Sequence, residues 1–434
     1  MLLILLIFLQ AAGAARSTPR DFAKARETGD ARLASGDYPA AIGAYQSALE
    51  MAPANEAVEL GLAEAYRRVF NYDKAQAMLE RAARQHPTSA APRIALGRLE
   101  IELQRYDQAV TALLRAVALA PKDVATRDDL AAAYQAKGDS TGAMKQIDAV
   151  LALSPRDALA HFLRAEILAD QNKNEAALRD VQAVLAEQPG NPRARKLAGK
   201  ILIRIPKCKE AVEMLEPLEQ GSGGADGTSG SNSSSGRSGT DSETLFMLQR
   251  AYECAGNKQR AGGVAAKFEE SSKNDRTTKE NSTQAIHLVR QANDLAMKNQ
   301  FPQALDLLRQ ALQKDPTNGD AYAQLAKIYF SENKLADAED AIKKALALNP
   351  YKPDYLYVQG KILEKENQPD AALAMFQRIT EINPEEADAY YEIAAIQQTR
   401  GERAQAIATL KKCVAAAPTD PDCRSALTAK SSPN

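Results

Sequence analysis

The residues that usually carry catalysis are few in this protein and are not arranged for it. The sequence contains three histidines, which are His86, His161 and His287. None of them lies in an HExxH motif, which would place two imidazoles and a general base on one helix face. The four cysteines lack the C-x-x-C spacing of zinc and redox sites. The sequence therefore offers no motif for metal or redox catalysis.

Two Gly-Lys pairs come nearest to a nucleotide-binding motif. Gly199-Lys200 and Gly360-Lys361 look like the end of a phosphate loop, but no glycine lies five residues upstream and no Ser or Thr follows. No serine has the G-x-S-x-G context of a hydrolase nucleophile. The sequence thus predicts a protein that is not an enzyme and that uses no cofactor.

The elements that position these residues are repeats with a period of 34 residues. Prolines recur at this period in two series, which are Pro53, Pro87, Pro121, Pro155 and Pro189, and then Pro316, Pro350, Pro384 and Pro418. Two-helix repeats have this period, and a proline stops a helix because it has no N–H donor. The sequence therefore predicts an all-α protein of stacked helical hairpins.

Three further columns recur when the proline is numbered 32 within each repeat. Position 20 is always alanine, namely Ala41, Ala75, Ala109, Ala143, Ala177, Ala304, Ala338, Ala372 and Ala406. Position 8 is always Gly or Ala, and position 24 is always bulky, from Tyr45 in the first repeat to Leu410 in the last. Small residues let two helices approach closely, near the lower end of the roughly 8–10 Å interaxial range.

This set of columns resembles the tetratricopeptide repeat family. The resemblance covers most of residues 22–420, although the frequent Trp at position 4 is absent because the sequence has no Trp. It implies a right-handed superhelix of helix-turn-helix repeats, an α-solenoid of about eleven repeats in two arrays. It also implies that the first helix of each repeat lines a concave groove.

The repeat register and the composition divide the sequence into seven segments. Residues 1–15 are a predicted signal peptide, residues 22–219 an array of six repeats and residues 220–241 a Gly/Ser-rich linker expected to be disordered. Residues 242–275 are a degenerate repeat, 276–284 a spacer, 285–420 an array of four repeats and 421–434 a capping helix with a tail. Whether the two arrays form one continuous superhelix stays open.

The N-terminal segment predicts export. Residues 1–15 are apolar and uncharged and end in small residues, as in a cleavable signal peptide. They are fewer than the roughly 20 residues that span a bilayer, so we expect no stable membrane span after cleavage. We expect the periplasm or the extracellular space of a bacterium, with the cytoplasm as the alternative. A net charge of −1 gives no general attraction to nucleic acid.

The cysteine positions agree with export. Cys208 opens the second helix of the sixth repeat and Cys254 closes the first helix of the seventh, so the two should lie side by side. Cys413 and Cys423 flank the turn into the capping helix. We therefore predict disulfides 208–254 and 413–423. The alternative is that all four are reduced thiols in the core.

The resemblance implies that positions 2, 5, 9 and 12–13 of each first helix face the groove. The sixth and seventh repeats then present a basic face, which we define as Arg193, Lys196, Lys200, Arg204 and Arg250. Such a face would suit an acidic peptide or the C-terminal carboxylate of a partner protein. The alternative is an ordinary solvated helix face.

A second predicted surface is the tyrosine face, which we define as Lys327, Tyr357, Lys361 and Tyr391. Tyrosines beside lysines offer an extended peptide both apolar contact and hydrogen bonds. The alternative is that these tyrosines only pack between neighbouring repeats.

Together these observations predict a non-catalytic scaffold or adaptor of the cell envelope that binds a segment of a partner protein in its groove. Two alternatives are a component of carbohydrate or polysaccharide handling and an intracellular adaptor of the co-chaperone kind. The sequence does not identify the partner, the oligomeric state or the source.

Overall fold

The computed structural model describes residues 18–219 and 241–431, and within these ranges every regular element is a helix. The first eleven helices are α1 (Pro19–Ser35), α2 (Tyr38–Met51), α3 (Glu56–Arg68), α4 (Tyr72–Gln85), α5 (Ala91–Glu102), α6 (Tyr106–Leu119), α7 (Val124–Lys137), α8 (Ser140–Leu153), α9 (Ala158–Asp170), α10 (Asn174–Glu187) and α11 (Pro192–Arg204). The other eleven are α12 (Cys208–Glu219), α13 (Ser242–Cys254), α14 (Lys258–Met297), α15 (Phe301–Lys314), α16 (Gly319–Ser331), α17 (Leu335–Leu348), α18 (Pro353–Lys365), α19 (Pro369–Ile382), α20 (Ala387–Thr399), α21 (Arg403–Ala416) and α22 (Pro421–Ser431). The predicted all-α class is confirmed.

Recurring residues mark where the hairpins begin and end. Each second helix of the nine regular repeats stops two residues before the repeat's proline, because a proline disfavours helical geometry in the residue that precedes it. Two residues after the proline, the side chain of an Asn or Asp is the N-cap of the next first helix in five repeats. The caps are Asn55, Asp123, Asp157, Asn191 and Asn318. Each accepts a hydrogen bond from a backbone N–H that the helix leaves unsatisfied.

The turn between the two helices of a hairpin has one recurring geometry. Position 15 of each regular repeat lies in the left-handed region, with glycine at Gly36, Gly138 and Gly401 and asparagine in several others. Phe70 and Gln104 adopt the same geometry with φ of 62° and 59°, at the steric cost that a Cβ imposes there. The turn is therefore set by the repeat rather than by glycine alone.

The small and bulky columns pack against each other inside each hairpin. All nine position-20 alanines are buried, as are all nine bulky residues at position 24. A Cβ added to Gly29 would lie 2.6 Å from the ring of Tyr45, and one added to Gly360 would lie 2.6 Å from the ring of Phe376. Glycine thus stands at position 8 in both regular repeats whose position 24 is aromatic, because the ring leaves no room for a methyl group.

The protein forms two compact units. Of the described residues, 18–87 and 284–431 form unit A, and 88–219 and 241–283 form unit B. The boundary at 283/284 falls within α14, which runs without interruption over 40 residues. The spacer expected at 276–284 is therefore part of a helix, since residues 274–284 contain neither Pro nor Gly.

Within unit A, the first two repeats pack against the C-terminal repeats. The Asn71 side chain donates to the carbonyl of Ile382 at 3.1 Å, and the Tyr351 hydroxyl donates to the carbonyl of Gly36 at 2.8 Å. Lys74 pairs with Glu385 at 3.5 Å. Repeats far apart in sequence thus share one compact unit, so the compact units do not coincide with the two arrays of the sequence.

Other expectations meet the structure only in part. The signal peptide at 1–15 and the tail at 432–434 lie outside the described residues, as does the linker at 220–240. Asp241, expected in the linker, is the N-cap of α13, and α22 stands where we expect the capping helix. In the described ranges, no helix combines the length and hydrophobicity needed to cross a membrane.

Candidate functional site

The first helices of neighbouring repeats are joined by polar contacts along one face. Arg98 at position 9 of the third repeat donates to Asp129 at position 6 of the fourth, at 2.7 Å. Gln135 of the fourth repeat donates to Glu166 of the fifth at 2.9 Å. A residue on this face is thus either held by the next repeat or left exposed to a ligand.

The basic face in unit B is partly neutralised. Lys196 pairs with Asp241 at 3.0 Å and with Glu243 at 2.8 Å. Burial acts to lower the pKa of Lys196, and hydrogen bonds to Glu243 and Asp241 outweigh it, so the net pKa is raised. Lys196 is therefore a charged contact between α11 and α13.

The arginines of the basic face contact their own unit, and Lys200 is exposed. The Arg193 guanidinium lies 4.6 Å from the ring centroid of Phe162, and Arg250 lies 5.8 Å from that of Phe246. Arg204 donates to the carbonyl of Ala169 at 2.6 Å. These arginines are exposed nonetheless, so a ligand can meet Arg193, Lys200 and Arg250 from solvent.

The tyrosine face in unit A splits into a bonded half and an exposed half. Tyr357 donates to Glu392 at 2.7 Å and stacks edge-on against Phe376. Lys361 pairs with the other oxygen of Glu392 at 3.0 Å and with Glu364 at 2.7 Å. Burial, then the hydrogen bond to Glu392, raises the pKa of Tyr357, which keeps it neutral. Tyr357 and Lys361 therefore hold α18 to α20.

The exposed half of the tyrosine face consists of Lys327 and Tyr391. Lys327 is exposed beside a depression of about 180 Å³ that Tyr357, Asp354 and Asp388 also line. Tyr391 is 39% exposed and borders a separate cleft of about 340 Å³ between α20 and α22. Lys327 and Tyr357 thus border one depression, and Tyr391 borders another.

Two protein-family models, both described as tetratricopeptide repeat, match the sequence. One matches residues 68–126, 295–362 and 363–430, and the other matches residues 9–56, 26–69 and 129–192. Together they cover well over half of the sequence. The chain belongs to the tetratricopeptide repeat family.

Solved structures similar to this tetratricopeptide repeat protein include two of MamA and one of the APC/C hetero-tetramer Cut9–Hcn1. The MamA structures are 22% and 21% identical, cover 37% and 40% of this chain and 94% of their own, and have TM-scores of 0.35 and 0.36. The Cut9–Hcn1 structure is 12% identical, covers 95% of this chain and 96% of its own, and has a TM-score of 0.32. No match is found among curated proteins.

One groove residue of the tetratricopeptide stack escaped the sequence analysis. Asp128, at position 5 of α7, is 6% exposed, and its Oδ1 has no hydrogen-bond partner in the described part of the protein. Burial, and next the nearby charges of Asp157, Asp129 and Asp123, raise the pKa of Asp128 to about 7. From sequence alone an Asp at this position is indistinguishable from a solvated acid.

The structure pairs the cysteines within the two units. Cys208 of α12 is joined to Cys254 of α13, with Cα atoms 5.5 Å apart, and Cys413 of α21 is joined to Cys423, with Cα atoms 5.7 Å apart. Both separations suit a disulfide. Whether these thiols are oxidised in the cell stays a prediction that depends on export.

His161 takes part in a structural hydrogen-bond network. His161 bonds to Asp180 at 2.8 Å, and Arg164 donates two hydrogen bonds to the same carboxylate. No group of three or more His, Cys, Asp or Glu residues suited to a metal ion occurs in residues 18–219 and 241–431.

Proposed function

We propose that this protein is a non-catalytic scaffold that binds an extended segment of another protein along the first-helix faces of its repeats. Membership of the tetratricopeptide repeat family supports protein binding as the general role. The absence of catalytic motifs from the sequence supports a role without chemistry.

The observation that carries the proposal is that some positions of each first helix are buried in the packing while others stay exposed. Position 8 is buried in every regular repeat and, as Gly199, in the sixth repeat. Groove positions of the same helices keep charged or aromatic side chains exposed, as at Arg193, Lys200, Lys327 and Tyr391. Residues that are not needed for packing yet combine charge with aromatic surface are suited to recognition.

We further propose that the scaffold acts in the cell envelope. The apolar N-terminal segment and the two cysteine pairs support this, because disulfides persist in oxidising compartments. N-terminal sequencing of the mature protein tests it. We expect a start near residue 15 or 16, and an intact Met1 with four free thiols would contradict the proposal.

Site-specific photo-crosslinking in the native host tests the binding proposal. A crosslinker placed at Lys200 or Tyr391 should capture a protein, because both face away from the hairpin core. Matched positions on second helices, Lys145 and Arg179, are also exposed and should capture little. Equal capture from first and second helices, or none from either, would overturn the groove as the binding surface.

Carbohydrate binding remains a second candidate because of one observation. The cleft beside Tyr391 is also lined by Gln398 and Ser425, which gives an aromatic face next to polar groups. Glycan-array binding that Tyr391→Ala abolishes would favour this function over segment binding.

A further inference from the structure

A buried acid without a cation lies on the groove side of unit B. Asp128 of α7 is 6% exposed, and its Oδ1 has no partner among the described residues. A buried polar group left without a hydrogen bond costs about 1–3 kcal/mol. Such a group in a native protein is therefore a candidate for a function that offsets its cost.

The groups around Asp128 are acidic, and the nearby cations are bonded elsewhere. Its electrostatic neighbours are Asp157, Asp129 and Asp123. Arg98 pairs with Asp129 at 2.7 Å. Arg127, on the same helix, donates to Gln146 at 2.9 Å and to the carbonyl of Pro121. The local charge at Asp128 is thus not balanced by the residues described.

The equivalent position in the sixth repeat shows which kind of partner Asp128 lacks. Lys196 occupies position 5 of the sixth repeat, and its amine meets the N-cap Asp241 and the position-2 residue Glu243 of the next first helix. In the same register the N-cap of the first helix that follows Asp128 is also acidic, Asp157, whose charge acts on Asp128, and the residue at position 2 is apolar, Leu159. Lys196 is thus held by two carboxylates, whereas Asp128 and Asp157 are two acids with no basic side chain between them among the described residues.

Leu159 adds an apolar surface at the register position next to Asp128 and Asp157. Its side chain is 45% exposed, and it occupies the register position that Glu243 has beside Lys196. Lysine and arginine have an apolar stem and a charged tip, and they pack the stem on apolar surface while the tip meets polar groups. An exposed leucine next to a pair of acids matches such a side chain. A bare metal ion would not use the leucine, and the described acids form no cluster suited to a metal.

We infer that Asp128 and Asp157 bind a lysine or arginine side chain of the partner segment, with Leu159 packing against its stem. The inference rests on the proposed function, and it names the chemistry of the ligand as cationic at this point of the groove. The basic face of the sixth and seventh repeats suits an acidic group instead. A bound segment would therefore present its basic residue to the fourth and fifth repeats and its acidic residue to the sixth and seventh.

Selection from a random peptide library tests the inference on the full-length protein. The wild type, Asp128→Asn and the control Glu187→Gln are used as baits. Glu187 is an exposed acid at the end of the second helix α10, so its variant loses the same charge away from the groove. We expect Lys or Arg to be enriched at one peptide position with the wild type and the control, and not with Asp128→Asn.

Affinity measurements on one selected peptide complete the test. Replacing its lysine by norleucine and replacing Asp128 by Asn should each weaken Kd about tenfold, which corresponds to about 1.4 kcal/mol. The two changes together should cost no more than either alone, because they remove one contact. Equal enrichment of cations by Asp128→Asn, or displacement of the peptide by Ca²⁺ alone, would overturn the inference and leave segment binding intact. Failure of the wild type to select any peptide would overturn both.

Discussion

Repeat 10 in unit A and repeat 4 in unit B place polar side chains at the same register position but give them different neighbours. In repeat 10, Tyr357 at position 5 and Lys361 at position 9 both reach Glu392 of the next first helix. In repeat 4, Asp128 at position 5 lies near the acid Asp157, and its Oδ1 has no hydrogen-bond partner among the described residues. The residue supplied by the following repeat decides whether a groove residue holds the stack together or stays available for a ligand.

The largest effect should follow from breaking the satisfied contact. Glu392→Ala leaves the Tyr357 hydroxyl without its acceptor and leaves Lys361 with Glu364 alone, which should lower the free energy of unfolding by about 2–3 kcal/mol. Amide hydrogen exchange in α18 and α20 measures the loss locally. The control Asp294→Ala removes an exposed acid of α14 and should change stability by less than about 0.5 kcal/mol. Equal effects of the two variants would contradict the structural role of Glu392.

Replacing Asp128, whose Oδ1 has no hydrogen-bond partner among the described residues, should raise the free energy of unfolding instead of lowering it. Burial and its acidic neighbours raise the pKa of Asp128 to about 7, so the folded state binds more protons than the unfolded state between about pH 4 and pH 7. The wild type therefore loses stability as the pH rises through this window. Asp128→Asn removes the loss and should stabilise by about 1–3 kcal/mol at pH 8, with almost no change at pH 4.

Urea denaturation of unit B at the two pH values checks this prediction. Glu187→Gln again serves as the control, since it should show no such pH dependence. An Asp128→Asn variant that is destabilised at pH 8, or stabilised equally at both pH values, would show that Asp128 has a partner that offsets its burial.

Introducing a lysine near Asp128 should give the fourth repeat an ion pair like the one that Lys196 forms in the sixth. Leu159→Lys places an amine at position 2, where it can reach Asp128, and should stabilise unit B by about 1 kcal/mol at pH 8. Combined with Asp128→Asn, the gain should vanish. A thermal melt of the single and double variants measures the coupling, and gains that simply add would contradict a direct contact.

The smallest effect should come from Lys196→Met. The two carboxylates that hold Lys196 are 57% and 67% exposed, so water can replace the amine. We expect a loss of about 0.5 kcal/mol in urea denaturation. A loss as large as that of Glu392→Ala would mean that exposure does not distinguish the two kinds of contact.

The repeats were predictable from sequence because the period appears in residue types that have a direct structural effect. Proline ends the second helices, the alanines at position 20 are buried, and glycine at position 8 packs against the bulky residue at position 24. The continuous helix α14 was not predicted, because the seventh repeat has no terminal proline and residues 276–284 have the polar composition of a spacer. The packing of the first two repeats on the C-terminal repeats has no sequence signature, since Asn71 and Tyr351 act through backbone carbonyls.

The candidate site was less predictable than the fold. The types of Lys196 and Tyr357 suggested ligand binding, but their partners Asp241 and Glu392 belong to the next repeat. Asp128 went unnoticed for the converse reason, since only the pairing of repeats 4 and 5 shows that its neighbour is also an acid. The N-cap Asp157 was the one signal in the sequence, and it has meaning only once the register between first helices is known.

Calorimetry of a selected lysine-containing peptide in buffers of different ionisation enthalpy tests the central claim most directly. Because the pKa of Asp128 is raised to about 7, the cation should drive its ionisation and release a fraction of a proton per peptide at pH 7. Asp128→Asn should release none. Binding of the wild type without proton release, or equal release from Asp128→Asn, would contradict the claim that this carboxyl receives the cation.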